Sequence, residues 1–251
     1  MKTHRLLLIR TLHLSVLCAA ALPVSLFAGS TTLSELVTAN TYVSSGQPNM
    51  NFGTLGAMEI AAPTTAQNRT EETLLGFDTA SFESAFNAEY GDGNWAVTSV
   101  TLEMFSNVST AGTQPNNSSF NKIAAGDFEL DWLSDDNWSQ TGITWNTLPS
   151  ILPGTDGNTS ASLGDFYWPA TGDSSATWTL DLDPNLVNDI DEGGEVTILG
   201  QPTADSTVGY LINTRGLNGA ELNITVDSVP DAGNGAIMLG VALACLKKIK
   251  K

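Results

Sequence analysis

Short stretches of alternating apolar and polar residues are separated along this chain by long intervals rich in Gly, Asn, Ser and Thr. The clearest alternation spans residues 95–105. Val97, Ser99, Thr101, Glu103 and Phe105 take one face and Val100, Leu102 and Met104 mostly the other, the period-2 signature of a β-strand. Residues 127–133 repeat it, with Phe128, Leu130 and Trp132 inward and three acids outward, and residues 176–182 repeat it again around Trp178 and Leu180. Shorter strands are predicted at 39–43, 58–61, 73–78, 195–199, 208–212 and 221–226. Helical spacing occurs only at 80–90, where Phe82 and Phe86 lie four apart, and in one or two turns at 184–190 behind Pro184.

Residues 137–149 form the anchor of this pattern. Trp138 and Trp145 flank Gly142-Ile143-Thr144, and Pro149 closes the segment. Large aromatics with β-branched neighbours favour an extended chain that stops at the proline. Polar loops are expected at 106–121 and 150–164. Roughly eight to ten strands without a sustained helix predict an all-β, single-domain antiparallel β-sandwich of jelly-roll type. No period of 20 to 50 residues suggests a solenoid or propeller.

The two ends differ from this pattern. Residues 1–28 read as a signal peptide: Lys2, Arg5 and Arg10 precede an apolar run, and Leu26-Phe27-Ala28 offers a cleavage site for signal peptidase. An uncut membrane anchor is the alternative, which Pro23 and the small residues after it disfavour. Residues 229–251 begin Val229-Pro230-Asp231-Ala232-Gly233, continue through an apolar run, and end in Lys247, Lys248, Lys250 and Lys251. That run is short against the roughly 20 residues a bilayer needs. The domain itself is assigned to residues 29–228.

Charge narrows the function. The chain carries 10 basic and 27 acidic residues. All the acids lie between Gly29 and Asp231, where only Arg69, Lys122 and Arg215 are basic. Nucleic acid is excluded as a partner, because phosphate binding needs clustered Lys and Arg. Salt-bridged binding of acidic polysaccharides is disfavoured for the same reason, and calcium, which takes oxygen ligands, is favoured. Cys18 and Cys245 sit in the two end segments, so the domain has no disulfide or thiol chemistry. His4 and His13 lie in the leader, which removes His-based triads and most zinc hydrolase designs.

The order of features resembles the DNRLRE-type domains. Asn40-Thr41-Tyr42-Val43 followed by Pro48-Asn49-Met50-Asn51-Phe52-Gly53 is similar to their opening motif. Leu74-Leu75-Gly76-Phe77-Asp78 is similar to their "LLkFD" strand, and Trp138 to Pro149 to their "W.E.tvTWnn.P" signature. The likeness spans about residues 39–226. It implies a jelly-roll sandwich that accompanies polysaccharide-degrading enzymes or binds polysaccharide without catalysis. Asn40 replaces a common Asp and only Arg215 remains of the usual Ser-Arg-Glu, which weakens a first-strand metal site and acidic-glycan binding. The tail resembles the VPDSG variant of the PEP-CTERM sorting signal, with Ala232 in place of Ser. That resemblance implies an exosortase, transient membrane insertion, and delivery to the surface or matrix of a Gram-negative-type bacterium.

The expected function is therefore non-catalytic binding or organisation of extracellular polysaccharide, neutral glycans before acidic ones. A purely structural matrix protein is the alternative, and an enzyme a weaker one. Exposed aromatics would stack on sugars, and Tyr167, Trp168, Tyr90 and Trp95 are the candidates. Trp132, Trp138, Trp145 and Trp178 are assigned to the core. Asp135, Asp136, Asn137, Asp156 and Asn158 are the candidate calcium ligands, against the plainer reading of Asx-rich turns. The pairs Asp135-Asp136 and Asp181/Asp183 do not by themselves predict the geometry of glycoside hydrolysis.

Overall fold

The computed structural model describes residues 29–65, 67–107, 123–170, 175–216 and 218–229. In chain order the strands are β1 (Ser30–Leu36), β2 (Ala39–Ser44), β3 (Ala57–Ala61), β4 (Glu71–Asp78), β5 (Trp95–Phe105), β6 (Gly126–Leu133), β7 (Ser160–Trp168), β8 (Ser175–Thr179), β9 (Glu195–Pro202), β10 (Gly209–Asn213) and β11 (Glu221–Ser228). Helix α1 (Ala80–Tyr90) follows β4, and α2 (Pro184–Asp191) precedes β9. A four-stranded sheet runs β1-β11-β5-β8. A seven-stranded sheet runs β10-β3-β4-β9-β6-β7, with β2 also on β4. Every pairing is antiparallel, and the two sheets form a sandwich.

The inward residues of both sheets make the main core. Val100, Leu102 and Met104 of β5 and Leu222, Ile224 and Val226 of β11 oppose Phe77, Phe128, Leu130 and Ile198 of the large sheet. Trp168 stacks on Tyr210 with ring centroids 4.3 Å apart, and Phe128 meets Trp178 edge-on at 5.2 Å. Helix α1 buries Phe82 and Phe86 as their spacing predicts. Pro184 and the Asp183 cap, whose carboxylate accepts from Asn185 N at 2.8 Å, set the start of α2.

Three expectations need correction. The polar interval expected through 164 contains most of β7. Its small residues Ser160, Ala161, Ser162 and Gly164 hide the strand, which β6 holds along its full length. Trp168, expected on an exposed loop, is 1% exposed and belongs to the core. The register of β7 shifts near Gly164, opposite Leu130 and Asp131. Beyond it Phe166 and Trp168 share the inner face while Asp165 and Tyr167 point out. The anchor segment is not a strand. It is a series of turns ending in a 3-10 turn at Leu148–Ser150, built on hydrogen bonds such as Thr144 N to Thr147 Oγ1 at 2.8 Å and Leu148 N to Thr144 O at 2.8 Å.

That segment lies on the outer face of the large sheet. Ile143, Leu148 and Ile151 form a second buried cluster with Val43, Leu74, Leu133 and Leu199, and Trp138 and Trp145 pack half-buried against it. The 48–53 loop clamps it in place. Asn146 N donates to Pro48 O at 3.0 Å, and Gln140 Nε2 donates to Gly53 O. A Cβ at Gly53 would lie 1.8 Å from the Gln140 carbonyl, so this approach requires glycine.

Candidate functional site

The turns of residues 136–150 enclose among themselves an open pocket of about 530 Å³. Its wall combines the Trp138 indole with Asp136, Asn137, Ser139, Thr147 and Ser150. The sheet fixes the two groups with most chemical character. Trp138 Nε1 donates to Thr197 Oγ1 of β9 at 2.9 Å, and that hydroxyl donates to Asp136 Oδ1 at 2.6 Å. The ring lies against β4 at Gly76, where an added Cβ would be 3.3 Å from Trp138 Cζ2. Asp135 Oδ1 accepts from Asn137 N at 2.8 Å and shapes the turn at the rim. Burial pushes the Asp136 carboxyl up, the Thr197 hydrogen bond opposes this, and Glu195 and Asp135 add to the rise. A half-buried tryptophan among hydroxyl, amide and carboxylate side chains brings aromatic surface and hydrogen-bonding groups together. The pocket size falls in the range of small-molecule sites, roughly 300–1,000 Å³.

The rest of the outer face carries acids. Glu129 sits across from Gln201 and Asp165 in register, and Gln201 Nε2 donates to Asp131 Oδ2 at 2.9 Å. Burial and the neighbouring Glu129 push Glu72 up to about 7. Glu129 and Asp131 are raised too, first by burial and then by their acidic neighbours, with Gln201 partly offsetting the rise at Asp131.

The stacking residues expected from sequence scatter. Tyr167 is 57% exposed on the outer side of β7, whereas Trp168, the residue after it, is buried. Tyr90 is half-buried, its hydroxyl 2.6 Å from Thr31 Oγ1. Trp95 is half-buried against Phe86 and donates through Nε1 to Asn87 Oδ1 at 2.7 Å, beside a cavity of about 140 Å³. These four residues do not form one platform. Trp138, assigned to the core from sequence, does pack half-buried against the second cluster and lines the pocket as well, whereas nothing in the sequence marks Ser139, Thr147, Ser150 or Thr197. The Trp138 to Pro149 signature was the available signal, read as a strand rather than as a turn with an open side.

The calcium candidates come together only in part. Asn158 Nδ2 donates to Asp135 Oδ2 and to Ser150 O, both at 3.0 Å, so it presents a donor where a cation needs oxygen. Asp136 faces Thr197, Asn137 is exposed, and Asp156 occupies a turn with φ of 48°. Among the described residues no group of three or more Asp, Glu, His or Cys side chains is placed to hold a metal. These residues do not fit calcium as arranged. Of the sorting motif only Val229 is described. Pro230, Asp231, Ala232, Gly233 and the leader lie outside the described residues. Among the described residues no helix is long and apolar enough to cross a membrane.

Carbohydrate-binding module family 96 matches residues 31–172, a span that includes the pocket segment. The chain belongs to that family. The match ends before β8, yet β9 and β11 lie inside the two sheets, so the family 96 sandwich in this chain is completed by residues beyond it. No curated protein matches the chain. Among solved structures it is similar to a chain of the semi-empty virus-like particle of giant freshwater prawn Macrobrachium rosenbergii nodavirus. There the identity is 11%, the TM-score 0.26, and the alignment covers 80% of this chain and 92% of that one. It is also similar to a chain of the empty virus-like particle of Cowpea Mosaic Virus, at 9% identity and a TM-score of 0.24, covering 86% and 85%. At such scores neither likeness carries an argument.

Proposed function

We propose that this family 96 module binds an uncharged polysaccharide outside the cell, through the Trp138 pocket, without catalysing its breakdown. The observation that carries the reading is the combination of family membership with a pocket that Trp138 lines together with Asp136, Asn137, Ser139, Thr147 and Ser150. The aromatic face supplies stacking area, and the short polar side chains supply partners for sugar hydroxyls. Charge supports neutral over acidic glycans, with three basic residues against 27 acids between Gly29 and Asp231. The resemblance to DNRLRE-type domains supports the same role.

Export and surface delivery belong to this proposal. The leader supports secretion through signal peptidase. Val229-Pro230-Asp231-Ala232-Gly233, the apolar run and the terminal lysines support processing by an exosortase after transient membrane insertion. The deciding experiment is a glycan-array screen of the purified protein with calcium and with chelator, comparing wild type with Trp138→Phe and Trp138→Ala. Saturable binding to neutral glycans that falls in both variants supports the reading. A folded wild-type protein that binds nothing in either condition would leave a structural matrix role.

A further inference from the structure

We propose that Thr197, a fully buried threonine of β9, is the positioning residue of the pocket: its single hydroxyl couples the Trp138 indole to the Asp136 carboxylate and sets both for ligand. This rests on the reading of the Trp138 pocket as a glycan site. An indole N–H can only donate and an ionised carboxylate can only accept. The hydroxyl between them therefore has one arrangement, accepting from Trp138 at 2.9 Å and donating to Asp136 at 2.6 Å. The shorter distance is that of a charge-assisted bond.

The position in the fold suits this role. β9 lies between β4 and β6, and Thr197 sits across from Gly76 on one side and Leu133 on the other. A β-branched side chain is stiff at χ1, and β9 is paired on both sides, so the backbone that carries the hydroxyl is held by two neighbouring strands. Asp136 and Trp138, by contrast, come from turns. Gly76 leaves room for the ring to lie against the sheet, so the indole has a surface below it and one anchoring hydrogen bond at its edge. Engaging Asp136 through Oδ1 leaves Oδ2 as an acceptor for a sugar hydroxyl. The titratable groups facing Asp136 are all acidic: Asp135 from its own segment, Glu195 from β9 and Asp189 from α2. The Thr197 hydrogen bond works against that surrounding charge and against burial, so its loss moves the Asp136 titration to higher pH.

The test compares Thr197→Val, which keeps the shape, with Thr197→Ser, which keeps the hydroxyl, in the whole protein. Carboxyl NMR titration of Asp136 and hydrogen exchange of the Trp138 indole N–H are read without ligand, and affinity is read with a neutral oligosaccharide that the wild type binds. Thr197→Val is expected to raise the Asp136 titration, speed indole exchange, and weaken binding by about tenfold or more. Thr197→Ser is expected to restore all three, with affinity within about threefold of wild type. Thr197→Cys replaces the valine variant if that fails to fold. Unchanged affinity, titration and exchange in a folded valine variant would overturn the positioning role alone. Absence of any glycan binding by the wild type would instead sink the reading of the pocket, whatever the two spectroscopic signals do.

Discussion

The side-chain amide of Asn51 donates to the Gln140 carbonyl at 2.9 Å and also to the Ile143 carbonyl at 2.7 Å. One residue of the 48–53 loop thereby fixes both sides of the turn that carries the pocket. Its own Oδ1 accepts from Gly53 N at 3.1 Å, so the loop is braced by the contact it makes. Asn51→Ala removes the donor from two partly buried carbonyls. A stability loss of about 1–3 kcal/mol is expected, together with faster amide exchange confined to residues 139–148. Urea titration and hydrogen-exchange mass spectrometry check this. An unchanged exchange pattern would mean that the turn holds itself.

Tyr167 and Trp168 are neighbours with opposite fates, and their variants should separate accordingly. Trp168→Ala removes a fully buried ring stacked on Tyr210 and is expected to cost about 3–5 kcal/mol. Tyr167→Ala removes a ring that is largely in solvent and is expected to change stability by no more than about 0.5 kcal/mol. Thermal denaturation of both variants is the check.

This pair also marks where the sequence was legible. Strict alternation in β5 and β6 and the Phe82/Phe86 spacing in α1 announce themselves, because each buries one face of a regular element. β7 escaped because small polar residues fill its first half and its parity changes near Gly164, so its inward tryptophan follows a run that reads as loop. β1 escaped because it is an edge strand of alternating exposed and half-exposed residues, held by β11 from the far end of the chain. The Trp138 segment stands out in the sequence by its two tryptophans and closing proline, but its turns do not follow from them. Its apolar residues pack downward on Val43, Leu74 and Leu199, which local periodicity cannot express. Thr197 could not be found at all from sequence, since what matters is its contact with residues about 60 positions earlier.

Stability should rise on mild acidification. The folded value for Glu72, about 7, lies above the ordinary 4.5, and burial is the first cause. Between those limits the folded chain keeps a proton that the unfolded chain releases, so this contribution is full below about pH 4.5 and is lost as pH rises through about 7. Glu129, Asp131, Asp136 and Asp189 shift in the same direction. Calorimetry is expected to give a higher Tm at pH 5 than at pH 8, and Glu72→Gln should raise the Tm at pH 8 and flatten the profile. A Tm that climbs from pH 5 to pH 8 would contradict the burial of these groups.

The few cations of the domain make the last expectation sharp. Arg69 is engaged with Glu71 at 2.9 Å, and Arg215 is a single exposed cation that donates through Nη1 to the Thr38 carbonyl, so the described residues offer no cluster of cations to anchor a polyanion. Lys122 lies outside the described residues. Around the pocket the charged groups are Asp135, Asp136, Asp189 and Glu195, which repel a polyanion. A polyuronate is therefore expected to show no binding in low-salt buffer, where attraction to cations would be strongest. Affinity for a neutral oligosaccharide should change little between low salt and physiological salt, because no ion pair contributes to it. Asp136→Asn would remove the charge that the Thr197 hydroxyl links to the indole while keeping an acceptor for Thr197. It should lessen the discrimination against uronic acids more than it weakens neutral binding. Isothermal titration with both polymers at two salt concentrations checks this. Salt-sensitive polyuronate binding by the wild type would place the recognition surface away from the Trp138 pocket.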